Sequence, residues 1–182
     1  MKSKQLYVIL LNYNGFNDTV ECVKSLEKIK HNRYCKLKIC VVDNNSSNVD
    51  ERSKFSEFKK KHIEVDVIFN KKNNGYAAGN NVGIEWAIQN DADYIWVLNN
   101  DTIVDENVVD ELLNAAEKQK AFFSTKIYNY YDRNEILYSG AILNNRDLHV
   151  AFKTNEIKED VTTEFISGAS IFASSKLWRQ YK

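Results

Sequence analysis

The chain has 182 residues and a mass of 21.1 kDa, with 25 basic and 25 acidic side chains and so no formal net charge. That size suits one domain with a sizeable core, and 43% apolar against 27% charged residues is a globular rather than a disordered balance. A pI near 6.8 argues against nucleic-acid binding through a broad basic surface, and no apolar run approaches the roughly 20 residues of a membrane-spanning helix.

Leu6 to Leu11 is a nearly continuous apolar run, the pattern of a strand buried on both faces of a parallel sheet. Asn12-Tyr13-Asn14-Gly15 breaks it. Asp18 and Glu21 form a capping box, and Val20, Val23, Leu26 and Ile29 predict a helix through Lys30. A second strand is expected over Leu37 to Val42, ending at Asp43. The polar loop Asn44-Asn45-Ser46-Ser47 leads to a charged helix from about Val49 to Lys61, with Phe55 and Phe58 inward. Ile63, Val65, Val67 and Phe69 alternate as a third strand.

Asn70 to Gly83 reads as a Gly- and Asn-rich loop leading into a helix that runs to about Asn90. A fourth strand, Tyr94 to Leu98, is followed by Asn99-Asn100-Asp101-Thr102, and Asp105 begins a helix with Val108, Val109, Leu112, Leu113 and Ala116 inward. After Ala121 the rhythm changes. Strand-like segments near Phe122–Tyr128, Ile136–Leu143, Leu148–Phe152 and Phe165–Ala173 are separated by turns such as Asn144-Asn145-Arg146-Asp147, and a helix starts near Ser174. The alternation predicts an α/β, doubly wound, mostly parallel sheet with a mixed or antiparallel C-terminal part.

Cys22, Cys35 and Cys40 show no CxxC spacing and read as idle reduced thiols. His31, His62 and His149 have no local ligand spacing, so no histidine metal site is expected. The basic start, Met1-Lys2-Ser3-Lys4, is followed by no small-residue cleavage site, so no signal peptide is expected and the chain reads as cytoplasmic.

In an open α/β sheet, ligands bind beyond the carboxyl ends of the strands. Polar clusters fall at those ends: Asn12-Tyr13-Asn14, Asp43-Asn44-Asn45 and Asn99-Asn100-Asp101. Asp43, facing a crevice, would accept hydrogen bonds from ribose or a base; its plainer role is to cap a loop. An exposed Asp101 would hold a hard divalent ion whose other ligands are phosphate oxygens and water; its plainer role is a turn or helix cap. Gly75, Gly79 and Gly83 lie four apart. Helix packing accounts for the last two, but a loop whose backbone approaches a ligand accounts for the whole stretch better.

These residues resemble glycosyltransferase family 2, with its GT-A, Rossmann-like fold, and specifically the rhamnosyltransferase-like bacterial branch. The matching segments are Val8 to Gly15, Val41 to Ser47, Asn73 to Gly83, Leu98 to Thr102 and Ser167-Gly168-Ala169, in the family's order. The resemblance implies a single nucleotide-sugar-binding domain over residues 1–182, with 1–120 as the nucleotide half and 121–182 as the start of an acceptor half. It implies a dTDP- or UDP-linked sugar donor, a deoxyhexose such as rhamnose, and Mg²⁺ or Mn²⁺ as cofactor. It implies donor contacts from Asn12, Tyr13, Asn14, Asp43, Asn74, Gly75, Asn80, Asn100 and Ser167. Asn99-Asn100-Asp101 stands in place of the family's DxD motif, leaving Asp101 as the metal ligand. The acceptor would be a surface polysaccharide or a glycolipid, placing the enzyme at the inner membrane face.

One departure stands out. Family members continue to an acidic pair that supplies the general base of an inverting transfer, yet Ser174 to Lys182 contains no acid. Glu159-Asp160 precedes Ser167 and reads as a solvated loop pair. The expectation is a truncated piece of a longer enzyme; the alternatives are a non-catalytic nucleotide-sugar-binding module and, with less support, a nucleotidyltransferase.

Overall fold

The computed structural model describes residues 3–29, 35–61, 65–144, 149–157 and 159–181. A sheet in the order β3-β2-β1-β4-β9 forms its centre: β1 is Lys4–Asn12, β2 Cys35–Asp43, β3 Val65–Phe69, β4 Tyr94–Asn99 and β9 Ser170–Ser174. The first four strands are parallel and β9 runs antiparallel to β4. Between β4 and β9 the chain forms two small antiparallel pairs, β5 (Ile127–Tyr128) with β6 (Ile136–Tyr138) and β7 (Ala141–Asn144) with β8 (His149–Phe152). The mostly parallel α/β expectation therefore holds, with the antiparallel part where the rhythm changed. Ile63 and Lys30, expected at element ends, lie outside the described residues, as does Asn145-Arg146-Asp147.

Alternation along β1 divides the core into two layers. Leu6, Val8 and Leu10 pack against α1 (Phe16–Leu26), α2 (Val49–Lys61) and α4 (Val108–Lys118), where Cys22, Val23, Phe55, Val109 and Leu112 are buried. Tyr7 and Ile9 face α3 (Tyr76–Gln89), meeting Ile84, Ala87 and Ile88, with Trp178 of α5 (Ser175–Tyr181) against the same layer. A strand sandwiched between helices must be apolar at successive positions, which is why the first run reads without alternation.

Helix starts differ from expectation in three places. α1 begins at Phe16 after Gly15, with no side-chain cap, so Asp18 and Glu21 do not make a capping box. Phe16 sets its ring edge against Phe55 at 4.7 Å, and Asn12 Oδ1 accepts the Gly15 N–H at 3.2 Å, which together draw the turn into the helix. α4 begins at Val108, and Asp105 instead accepts the Asn107 N–H in the preceding turn.

The third difference concerns the glycines. α3 begins at Tyr76, so most of the expected ligand loop is helix. A Cβ on Gly79 would lie 2.5 Å from Leu11 Cδ1, and one on Gly83 would lie 2.4 Å from Ile9 Cγ2. The packing alternative is therefore the right one for these two: they let α3 settle directly on β1. Gly75 is different, with φ +86° and ψ 178°, a conformation open to glycine and almost nothing else. We expect Gly83→Ala to cost about 1–3 kcal/mol by overpacking against Ile9, read as a lower midpoint in urea denaturation.

Candidate nucleotide-sugar site

β1 and β4 lie side by side where the strand order reverses, which puts the ligand crevice beyond their carboxyl ends. The register levels the key positions, with Asn12 beside Asp43 and Leu11 beside Asn99. Topology thus brings the three polar clusters together. It does not make all of them available to a ligand.

Asp43 is fully buried. Its Oδ1 accepts from Asn12 Nδ2 at 3.0 Å and from the Ser46 hydroxyl, while Oδ2 accepts the Ser46 N–H at 3.2 Å and pairs with Arg52 Nε at 3.1 Å. The same guanidinium donates to Asn45 Oδ1 at 3.1 Å and the Asn70 carbonyl at 2.9 Å, and lies 5.2 Å from the Phe69 ring centre. The carboxylate expected to face the crevice is turned inward, because a buried charge needs partners and Ser46 and Arg52 are close enough to supply them.

Asn12 is also internal: its Oδ1 accepts from the Gly15 N–H and, at 3.1 Å, from the Thr19 hydroxyl. Asn14, with φ 56°, fixes the next loop by accepting the Ser47 N–H at 2.8 Å. Asn100 turns toward α1 and donates to Thr19 Oγ1 at 2.9 Å. Ser167 is half-buried, its Oγ accepting the Ala169 N–H.

The groups facing outward are Tyr13, Asn14, Asn74, Gly75, Tyr76 and Asp101. Asn80 is buried on α3, donating to the Tyr76 carbonyl at 3.1 Å, and its Oδ1 has no partner among the described residues. Tyr76 is the residue that sequence reasoning passed over. Its hydroxyl lies 2.6 Å from the Gly168 carbonyl and 3.1 Å from Asn99 Oδ1, joining the start of α3 to two neighbouring segments. The signal was a large aromatic at the first helical position, inside a stretch otherwise made of Asn, Gly and Ala. Partial burial pushes the Tyr76 phenol pKa up, against a smaller downward pull from Asn80, and the Asp101 charge adds to the rise. Behind the β4 loop, Cys22 is pushed up to about 12 by burial, so its thiol is inert packing.

Among the described residues, no group of three His, Cys, Asp or Glu side chains could hold a metal ion. The carboxylate that directly follows β4 is the exposed Asp101; Asp105 and Glu106 are exposed further along the same connection, where Asp105 accepts from Asn107. That arrangement fits a hard divalent ion that completes its shell with phosphate oxygens and water, and does not fit a preformed protein cage.

A mostly parallel α/β sheet with its polar loops gathered at the switch point is a GT-A-like fold. The sequence profile of glycosyl transferase family 2 matches residues 7–178, and the chain belongs to that family. It is 29% identical over 134 residues to the glycosyltransferase GlyG of Streptococcus pneumoniae, covering 73% of this chain and 41% of that one. It is also 29% identical over 129 residues to the uncharacterized glycosyltransferase RC0461 of Rickettsia conorii, covering 71% and 20%. Among solved structures, the mannosyltransferase PcManGT of Pyrobaculum calidifontis, in complex with GDP-Man and Mn²⁺, superposes with a TM-score of 0.67 at 11% identity, over 99% of this chain and 47% of that chain. TarS 1-349 of S. aureus with UDP-GlcNAc gives 0.63 at 16%, over 99% and 47%. The chain thus spans less than half the length of these relatives.

Removing the buried carboxylate should leave Arg52, Asn12 and Ser46 without their shared partner. We expect Asp43→Ala to destabilise the ligand-free chain by about 3 kcal/mol or more, read as a lowered urea midpoint.

Proposed function

We propose that this chain forms the donor-binding half of an inverting glycosyltransferase, which moves a sugar from a nucleoside-diphosphate sugar to a hydroxyl of a glycan or glycolipid. The observation that carries this reading is the exposed Asp101, set beyond β4 at the switch point of a family 2 fold. The finer reading, a rhamnosyltransferase-like enzyme using a dTDP- or UDP-linked deoxyhexose, rests on the motif resemblance around Asn99-Asn100-Asp101.

Asp101 would hold the divalent ion, which when bound neutralises charge on the diphosphate leaving group. Asn74, Gly75 and the first turn of α3 lie where backbone and amide N–H groups can meet anionic oxygens. Tyr13, half-exposed after β1, offers a face on which a base can stack. Asn12, Asp43 and Asn100 serve this site by holding the loops in place rather than by contacting the donor, while the exposed Asn14 both fixes its loop and stays open to the donor. Glu159 and Asp160 are both exposed on their loop, in keeping with a solvated pair rather than a general base. Among the described residues, no helix is long and apolar enough to cross a membrane.

A thermal-shift titration with UDP, dTDP, GDP and their sugars, with and without Mn²⁺, tests this reading. One nucleotide at 100 times its Kd should add about 2.7 kcal/mol of stability when Mn²⁺ is present, and Asp101→Ala should lose most of it. Absence of a shift for every nucleotide, with Mn²⁺ present, would overturn the reading.

A further inference from the structure

Three segments meet at the carboxyl end of β4: the first turn of α3, Asn99 at the end of β4, and the Ser167–Ala169 loop that precedes β9. The Tyr76 hydroxyl touches the other two from α3, lying 3.1 Å from Asn99 Oδ1 and 2.6 Å from the Gly168 carbonyl. The backbone adds a direct tie, since the Asn99 N–H donates to the Ala169 carbonyl at 2.9 Å. Asn99, Ala169 and Tyr76 thus form one small cluster, two residues from the carboxylate expected to meet the metal. Tyr76 is held by its first-turn carbonyl as well, through Asn80.

A phenol brings one proton and two lone pairs. Two acceptors share that proton, so the contact is a shared bridge and not two full bonds. Its ring is about half-exposed, so the two hydroxyl contacts add to what packing alone gives in fixing its position.

We propose that Tyr76 is a positioning residue: its hydroxyl sets the Asn99 side chain and the Ser167–Ala169 loop at the spacing in which Asp101 can present a divalent ion to the donor's diphosphate. This rests on the donor-binding reading above. Tyr76 acts through Asn99 and the loop, so its contribution belongs to metal-assisted binding of the diphosphate. Nucleotide contacts made without metal, through Tyr13 and the base, are independent of it.

The test is isothermal titration with UDP, dTDP and GDP, each with Mn²⁺ and again in EDTA, on the unsubstituted chain, Tyr76→Phe, Asn99→Ala and the double variant. Tyr76→Phe keeps the ring and removes the hydroxyl. It should weaken Mn²⁺-dependent binding of the preferred nucleotide about tenfold, change binding in EDTA less than twofold, and cost less than threefold once Asn99 is already Ala, because coupled groups are not additive. Equal losses with and without Mn²⁺, the same loss in the Asn99→Ala background, or no loss at all would overturn the proposal. If the unsubstituted chain binds no nucleotide, the donor-binding reading itself fails and this proposal with it; if it binds and Tyr76→Phe is unaffected, only the role of Tyr76 fails. A hydrogen-exchange measurement on the unsubstituted chain needs no variant. Mg²⁺ with the preferred nucleotide should slow exchange at the Asn99 amide, which donates to the Ala169 carbonyl, and at the Ala169 amide, which donates to Ser167 Oγ, and unchanged exchange at both would equally overturn the proposal.

Discussion

The Asp43 carboxylate lies out of reach of water at the end of β2, where an uncompensated charge would cost several kcal/mol. Four donors compensate it, and they come from different parts of the chain: Asn12 at the end of β1, Ser46 twice in the following loop, and Arg52 on α2. Arg52 then extends the network to the end of β3 through the Asn70 carbonyl. One buried charge therefore fixes the relative heights of three strand ends and the loops that leave them. A crevice built on those ends is only as rigid as this network.

On the other side of the sheet, the close approach of α3 does similar work by a different means. Gly79 and Gly83 present bare backbone to Leu11 and Ile9, so the helix sits lower on β1 than any side chain would allow. Dispersion contacts at that distance fix the helix axis, and the axis fixes where its first turn ends. Gly75, in its glycine-only conformation, then releases the chain toward β3. Tyr76 and Asn80 arrive at the crevice as a consequence of that docking.

β9 completes the arrangement from the C-terminal part of the chain. It pairs antiparallel with β4 and supplies Ser170, whose hydroxyl accepts from the buried Trp96 indole at 2.9 Å and from Thr125 at 3.0 Å. The largest side chain of the core thus has its polar edge satisfied only once residues from the far end of the chain are in place. The Ser167–Ala169 loop owes its place beside Asn99 to that pairing.

Much of this was legible in the amino-acid order. Strands buried on both faces announce themselves as apolar runs, and Asn, Asp and Gly clusters announce the turns after them, because burial and backbone conformation are properties of short segments. Those local rules, with the motif resemblance, indicated the α/β class, the order of elements, the switch-point location and the exposed Asp101. They did not reveal which polar side chains point outward. Asp43 ends β2 and Asp101 follows β4 by two residues, the same residue type at neighbouring strand ends, and one is sealed while the other is exposed. That difference depends on Ser46 and Arg52 reaching Asp43 through loop and helix geometry. The glycine spacing fitted both a ligand loop and a packed helix, and only the distance to β1 distinguished them. Tyr76 gained its neighbours from Asn99 and Gly168, which stand 23 and 92 residues further along the chain. Local sequence set the elements and the kinds of groups at their ends; long-range packing decided which of those groups remained available for chemistry.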